Sequence, residues 1–141
     1  RAWRYVRVNP RGALAAEPPE ARPEAVARAL GGAAVERVEW LRAASEASGP
    51  WAELYACDAS TNLSRTDAYR RGQLYGVDAA SLFAVLCGGI EPGHHVLDLC
   101  CAPGAKLCAA ADAACPGGEV VGVDVAEPRL AACRTVLSRY G

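Results

Sequence analysis

Short apolar runs alternate with amphipathic segments in the second half of the chain, a pattern typical of strands that alternate with helices. The apolar runs 95–99 (HVLDL) and 119–123 (EVVGV) predict two buried strands, and Asp124 follows the second strand directly. Helices are predicted over residues 79–87, 105–114 and 128–140. A strand, a helix and a second strand in this order predict a βαβ unit with parallel strands and a right-handed crossover.

The first half of the chain is less regular and predicts a smaller mixed region. Residues 3–8 (WRYVRV) alternate in polarity and predict a strand. The same criteria predict a helix over 24–30 after Pro23, a strand over 35–41 and a weaker strand over 51–56, whereas 13–23 and 57–68 lack a clear period. We therefore predict an α/β fold class: a small α+β N-terminal subdomain with a linker over 1–71, then the first part of a larger domain over 72–141.

The composition is compatible with a folded domain. The chain has 141 residues, of which 52% are apolar and 22% charged, and this composition excludes intrinsic disorder. No apolar run approaches the roughly 20 residues that a membrane span needs, and no signal peptide opens the chain, so we expect no membrane contact. Because the sequence has no Met and ends directly after a predicted helix, we expect it to be a segment of a larger protein.

The charge is nearly balanced, with a formal net charge of −1, which argues against a strongly basic nucleic-acid-binding module. The two halves nevertheless differ. Residues 1–71 carry 11 basic and 9 acidic groups, and residues 72–141 carry 4 and 7. Two interpretations of the arginines in the first half stay open, a phosphate-contacting edge and ordinary solvated side chains. They are Arg1, Arg4, Arg7, Arg11, Arg65, Arg70 and Arg71.

Seven cysteines are present, an odd number. Neither an odd number nor an α/β pattern suits a disulfide scaffold, so we predict a reducing intracellular compartment. Cys101, Cys108 and Cys115 recur every seven residues, a spacing that would place them on one helix face. No CxxC motif or Cys–His pairing accompanies them, and no metal site is predicted.

The segment 96–106 (VLDLCCAPGAK) carries the most specific chemistry. Pro103 and Gly104 turn the chain tightly between the first predicted strand and its helix, and they allow a ligand close to the backbone. The amides at the start of the helix lack intrahelical partners. In a doubly wound sheet, this loop lies at the crevice where nucleotide-like ligands bind.

The ligand class is narrowed by what the loop lacks. A dinucleotide-binding loop requires GxGxxG, and Gly104 is the one glycine here; a P-loop requires glycines where Cys100 and Ala105 stand. Asp124, about 20 residues downstream of the loop, suits two ribose hydroxyls as an acceptor, and this combination points to S-adenosylmethionine. Alternatively, Asp98 and Asp124 cap neighbouring turns, and Lys106 is a solvated first-turn residue.

The same segment closely resembles the motif VLDLCAAPGGK of the Sun/Nop family of RNA cytosine-5 methyltransferases. The flanks are similar as well: 4–9 resembles the family's N-terminal strand, 75–82 the element before the methyltransferase core, and 120–130 the second cofactor motif. The resemblance implies a Rossmann-like S-adenosylmethionine-dependent methyltransferase fold, here incomplete. If half of the sheet is missing, the open strand edge predicts poor solubility or pairing with the rest of the protein.

The resemblance also implies the site residues. Asp98 would support the loop, and Lys106 would also face the reacting base as an auxiliary. Two positions depart from the family's pattern, since Cys101 replaces Ala and Ala105 replaces Gly. If positive φ is required at residue 105, alanine there is strained by roughly 1–2 kcal/mol. The implied cofactor contacts are Asp98, Cys100, Cys101, Ala102, Pro103, Gly104, Ala105, Lys106, Asp124 and Arg129.

The family's activity is methyl transfer from S-adenosylmethionine to C5 of cytosine in rRNA or tRNA, after a cysteine thiolate adds to C6. The resemblance places the nucleophilic and product-releasing cysteines in later Thr-Cys and Pro-Cys motifs, and this sequence has neither dipeptide. The acidic residue that binds adenine is also missing. We therefore expect a cofactor-binding half with no catalytic residues of its own, which does not methylate RNA alone.

Two other interpretations stay open beside the RNA cytosine-5 methyltransferase. One is a methyltransferase acting on a protein or a small molecule. The other is a catalytically degenerate, methyltransferase-like RNA-binding or ribosome-assembly factor. The expected partners are RNA, either rRNA or tRNA, and ribosomal assembly proteins, in the nucleolus, the mitochondrion or the cytoplasm.

Overall fold

The computed structural model describes residues 2–41 and 48–140; Arg1 lies outside them. The chain divides into two compact units, Arg1–Ala79 and Ala80–Gly141. Within the described residues, no helix is both long enough and apolar enough to cross a membrane.

The first unit is built on a four-stranded antiparallel sheet in the order β2-β3-β1-β4. The central strands β1 and β3 pair from Trp3 opposite Asp58 to Arg7 opposite Leu54. The elements whose bounds are described in this unit also include the helix α1, the single turn α2 and three short 3-10 segments. The strands are β1 (Trp3–Val8), β2 (Val35–Arg37), β3 (Leu54–Asp58) and β4 (Leu74–Gly76), and the helices are α1 (Arg22–Ala29) and α2 (Asp67–Arg70).

The core of this unit lies between the sheet and α1, where Val26 of the helix is fully buried with Val6 and Tyr55 of the strands. Glu53 is buried at the edge of the core and pairs with two arginines, Arg22 and Arg37. The attraction between these opposite charges offsets part of the cost of burying them. Burial and the neighbouring Glu53 raise the pKa of the Tyr55 phenol.

The second unit contains the βαβ arrangement predicted from the sequence. Strands β5 (His95–Asp98) and β6 (Glu119–Gly122) are parallel, with Leu97 opposite Val121. Helix α4 lies against both strands. The helices of this unit are α3 (Ala79–Cys87), α4 (Ala105–Ala114) and α5 (Glu127–Tyr140).

Several predicted elements need correction in the first unit. The strand predicted over 35–41 ends at Arg37, and the strand predicted over 51–56 is shifted to Leu54–Asp58 because Pro50–Ala52 form a 3-10 turn. Strand β4 was missed because three residues are too few to show a period. Helix α1 begins at Arg22 rather than at residue 24, since Pro23 is tolerated in the first turn of a helix.

Candidate cofactor-binding site

The loop between β5 and α4 is fixed by backbone hydrogen bonds that continue the parallel ladder. The Val123 amide donates to the Asp98 carbonyl at 2.8 Å, and the Cys101 amide donates to the Val123 carbonyl at 3.0 Å. The chain then turns into α4, whose first intrahelical bond runs from the Cys108 amide to the Gly104 carbonyl at 2.9 Å. The loop and the residue after β6 therefore lie at the same edge of the sheet.

Gly104 makes the turn into α4 and has φ +112°, a conformation that glycine adopts without strain. A Cβ at this position would lie 3.1 Å from Cys133 Sγ, so space as well as φ favours glycine. Ala105 is the first residue of the helix, and no described residue other than glycine has positive φ. The strain expected at Ala105 was therefore wrong, because the left-handed position falls one residue earlier.

Asp98, Cys100 and Lys106 form the first group of contacts in the loop. The Asp98 carboxylate accepts the Cys100 amide at 3.0 Å and lies 3.5 Å from the Lys106 ammonium. Lys106 also donates to the Cys100 carbonyl at 3.2 Å. The charge of Lys106, which is unfavourable at a helix N-terminus, is offset by Asp98. Asp98 thus contacts both the Cys100 amide and Lys106, and Lys106 is folded back over the loop.

Ala102, Asp124 and Arg129 form the second group. Asp124 directs one carboxylate oxygen at the Ala102 amide (3.1 Å) and the other at the Val125 amide (2.9 Å). Arg129 Nε lies 3.2 Å from Asp124 Oδ1, and its Nη2 donates to the Ala102 carbonyl at 3.3 Å. The Asp124 side chain is 2% exposed and that of Arg129 is 54% exposed. Asp124 therefore faces the loop, with the guanidinium on its solvent side.

The underside of the loop packs into a small apolar core formed by Cys101, Leu107 and Cys133, each at most 5% exposed. Burial, together with the adjacent Cys101 thiol, raises the pKa of the Cys133 thiol to about 11. All seven cysteines are free, and Cys100 is exposed whereas Cys101 is buried. Of the three cysteines spaced by seven, only Cys108 lies within α4, so the predicted shared helix face is wrong.

Among the described residues, no cluster of three or more Cys, His, Asp or Glu side chains could hold a metal ion. The chemistry of the site therefore consists of backbone amides and carbonyls, two carboxylates and two cations at one edge of a parallel sheet. That combination suits a polar organic ligand with hydroxyl groups and charged ends.

The chain is similar in sequence to known methyltransferases. No protein-family model matches the chain. The chain is 36% identical over 89 residues to a 28S rRNA (cytosine-C(5))-methyltransferase of Mus musculus, covering 63% of this chain and 19% of that protein. It is 52% identical over 46 residues to 5-cytosine rRNA methyltransferase NSUN4 of Xenopus laevis, covering 33% and 11% respectively. The resemblance to the Sun/Nop family is confirmed.

The fold agrees with the Sun/Nop similarity. The crystal structure of a methyltransferase homolog protein from Pyrococcus horikoshii matches with a TM-score of 0.71 and 26% identity, covering 98% of this chain and 40% of that chain. The predicted methyltransferase-like α/β fold is therefore confirmed, and it implies a methyl-donor cofactor. A shorter stretch of 51 residues is 51% identical to a nocamycin O-methyltransferase of Saccharothrix syringae. The matched regions span about a fifth or less of the two rRNA methyltransferases.

Two residues that shape this Sun/Nop-type loop were not among the predicted site residues. Gly122, the last residue of β6, leaves room for the loop, because a Cβ there would lie 2.8 Å from Cys101 Cβ and 2.9 Å from Leu107 Cδ2. Cys133 of α5 fills the space behind Gly104. A glycine inside an apolar strand signals a close backbone approach, so Gly122 was recognisable in the sequence; no local signal connected Cys133 to the loop.

Proposed function

We propose that this chain supplies the S-adenosylmethionine-binding part of an RNA cytosine-5 methyltransferase that acts on rRNA or tRNA. One observation carries the proposal: the Asp124 carboxylate, at the carboxyl end of β6, is held against the Ala102 amide of the loop at 3.1 Å. The arrangement unites the two motifs that the Sun/Nop resemblance assigns to the cofactor. The activity of the named relatives supports the reaction type.

The donor set fits the cofactor. A carboxylate offers about four acceptor positions, and the two backbone amides and Arg129 use three of those of Asp124. One ribose hydroxyl would take the remaining position, and a second would bind once the exposed Arg129 side chain turns outwards. The loop residues Cys100–Lys106 would line the rest of the cofactor, with Asp98 fixing the loop from behind.

Bound S-adenosylmethionine supplies an electrophilic methyl group. This chain's own residues would bind and orient it: Asp124 would accept the ribose hydroxyls, and Arg129 would turn outwards to admit them. Cys100 and Cys101 are not proposed as nucleophiles, because the resemblance places both catalytic cysteines in motifs that this sequence lacks. Lys106, whose side chain is 35% exposed, is proposed as an auxiliary that would leave its contacts with the loop to face the reacting base.

Calorimetric titration of S-adenosylmethionine into the protein tests the proposal, with Asp124→Ala measured in parallel. We expect binding that is lost on substitution. Absence of binding to the folded wild type would refute the cofactor assignment. Crosslinking to RNA containing 5-azacytidine tests the reaction class, since a cysteine adduct would be trapped only in a protein that also carries the nucleophile. The complete protein should crosslink, and this chain alone should not.

One observation favours a second candidate, a catalytically degenerate RNA-binding or ribosome-assembly factor. The Asp124 side chain is 2% exposed beneath Arg129, so its carboxylate is already engaged by groups of this chain. Unchanged RNA binding together with no S-adenosylmethionine binding would select this candidate. We also propose a reducing compartment, a location that seven free thiols would suit.

A further inference from the structure

A cleft of about 510 Å³ lies in the first unit, and its lining residues include none from the loop that holds the proposed cofactor. Three chain segments form it: the end of α1, the region around α2, and the residues before β4. Each segment contributes an arginine, Arg28, Arg65 and Arg71. All three side chains are exposed, so their guanidinium groups are accessible from solvent.

The cleft is electropositive because its cations have little acidic compensation. Asp67 is the one acidic residue among those lining it, and that carboxylate already lies 3.6 Å from the guanidinium of Arg70, outside the lining. The three lining arginines form no ion pair and no side-chain hydrogen bond with any residue of 2–41 and 48–140. Like charges that lack carboxylate partners favour an anionic ligand.

The backbone beneath these arginines is fixed, so the charges are presented from a firm surface. The Arg71 amide donates to the Asp67 carbonyl at 2.8 Å, and the Gly31 amide donates to the Arg28 carbonyl at 3.0 Å. Asn9 in turn holds the segment after Arg71, donating from Nδ2 to the Gly72 carbonyl at 2.8 Å. A cleft supported in this way needs little reorganisation to bind a ligand.

We propose that this cleft binds the phosphodiester backbone of RNA. Arginine forks match phosphate oxygens in a bidentate manner. No aromatic side chain is among those lining the cleft, so stacking on bases, the usual source of base contacts with single strands, is absent there. The cleft therefore anchors RNA without reading its sequence. The choice of RNA as the anion rests on the proposed function, whereas the cleft and its charge do not.

Fluorescence anisotropy with a labelled 12-nucleotide oligouridylate tests the proposal at several salt concentrations. The test variant is Arg65→Gln/Arg71→Gln, and the control is Arg134→Gln/Arg139→Gln, which removes the same charge from two arginines of α5 outside the cleft. Each lost phosphate contact lowers the slope of log Kd against log salt by about 0.7. We expect the test variant to lose about 1.4 in slope and about tenfold in affinity, and the control to keep the wild-type slope.

Three further measurements test whether the charge of the arginines and the charge of the phosphates are both needed. Arg65→Lys/Arg71→Lys should keep the wild-type slope, because the charge is retained, and an oligonucleotide with neutral methylphosphonate linkages should not bind. Equal slopes for the test and control variants would overturn the proposal. So would binding of anionic phosphatidylglycerol vesicles through the same arginines without RNA binding.

Circular dichroism checks that the variants fold. Calorimetry with S-adenosylmethionine on the same variants separates the two claims. If the wild type binds RNA through the cleft but does not bind S-adenosylmethionine, the proposed function is refuted and this inference is not. If the wild type binds S-adenosylmethionine and the cleft variants keep the wild-type affinity for RNA, this inference is refuted and the proposed function is not.

Discussion

Gly122→Ala tests whether the loop is as tightly packed against β6 as the structure indicates. The added Cβ would lie 2.8 Å from Cys101 Cβ, 2.9 Å from Cys101 Sγ and 2.9 Å from Leu107 Cδ2. Overpacking of this kind costs about 1–3 kcal/mol. Replacing glycine also reduces the entropy of the unfolded chain, which stabilises by about 0.4–1 kcal/mol. We expect a net loss of about 1–2 kcal/mol in the free energy of unfolding.

Urea denaturation measures this loss, and Gly76→Ala is the matched control. Gly76 is also the last residue of a strand, but a Cβ there meets its nearest neighbour, Leu63 Cδ1, at an ordinary 3.4 Å. The control should be neutral or slightly stabilising. Adding Cys101→Ala to Gly122→Ala removes one of the close sulfur contacts and should recover part of the loss. Equal stability of Gly122→Ala and the wild type would refute the packing argument.

Four further predictions follow from the same structure. Asp124→Asn should weaken S-adenosylmethionine binding about tenfold or more in calorimetry, because a charge-assisted acceptor becomes neutral. The pKa of Cys133 is raised to about 11, so the thiol favours the folded state below pH 9. This contribution, at most about 3 kcal/mol, is lost as the pH rises to 11. Cys133→Ala should flatten the urea midpoint between pH 9 and pH 11, and an unchanged profile would contradict the prediction. Leu97→Thr/Val121→Thr, on an exposed strand face, should reduce self-association in sedimentation velocity and cost less than about 1 kcal/mol per site; loss of folding would argue against the exposed face. Maleimide should label only the exposed thiols of the native chain, and equally fast labelling of the buried Cys101 would show that the loop opens. Those exposed thiols are Cys87, Cys100 and Cys115.

The second unit was the more predictable part of the fold. Each of its strands is an apolar run between turn residues, and the start of α4 follows a Pro-Gly pair, so local signals agree with the tertiary structure. The helices over 79–87 and 105–114 have the predicted bounds. The first unit was less predictable because its strands β2 and β4 have three residues each. The bounds of β2 and β4 are set by pairing with neighbouring strands, and the composition of a segment does not show which strand it pairs with.

The same distinction holds for the site. The motif placed Asp98, the loop and Asp124 at one sheet edge, and the structure brings them together. Whether residue 105 has positive φ was left as a condition, since sequence similarity aligns residues without giving their φ angles, and the structure places the left-handed residue at Gly104. Cys133 lies about 30 positions from the loop in sequence, and only the packing of α5 brings its sulfur beside Gly104.

The loop is held by contacts with the protein around it. The backbone ladder fixes Cys101, the carboxylate of Asp124 fixes Ala102, and Cys133 limits the space behind Gly104. A loop ordered in this way loses little entropy when a ligand binds. Weaker cofactor binding in Asp124→Asn therefore has two separable sources, a lost ribose acceptor and a loosened loop. Hydrogen exchange at the Ala102 amide without cofactor distinguishes them: faster exchange indicates a loosened loop, and unchanged exchange assigns the lost affinity to the ribose contact.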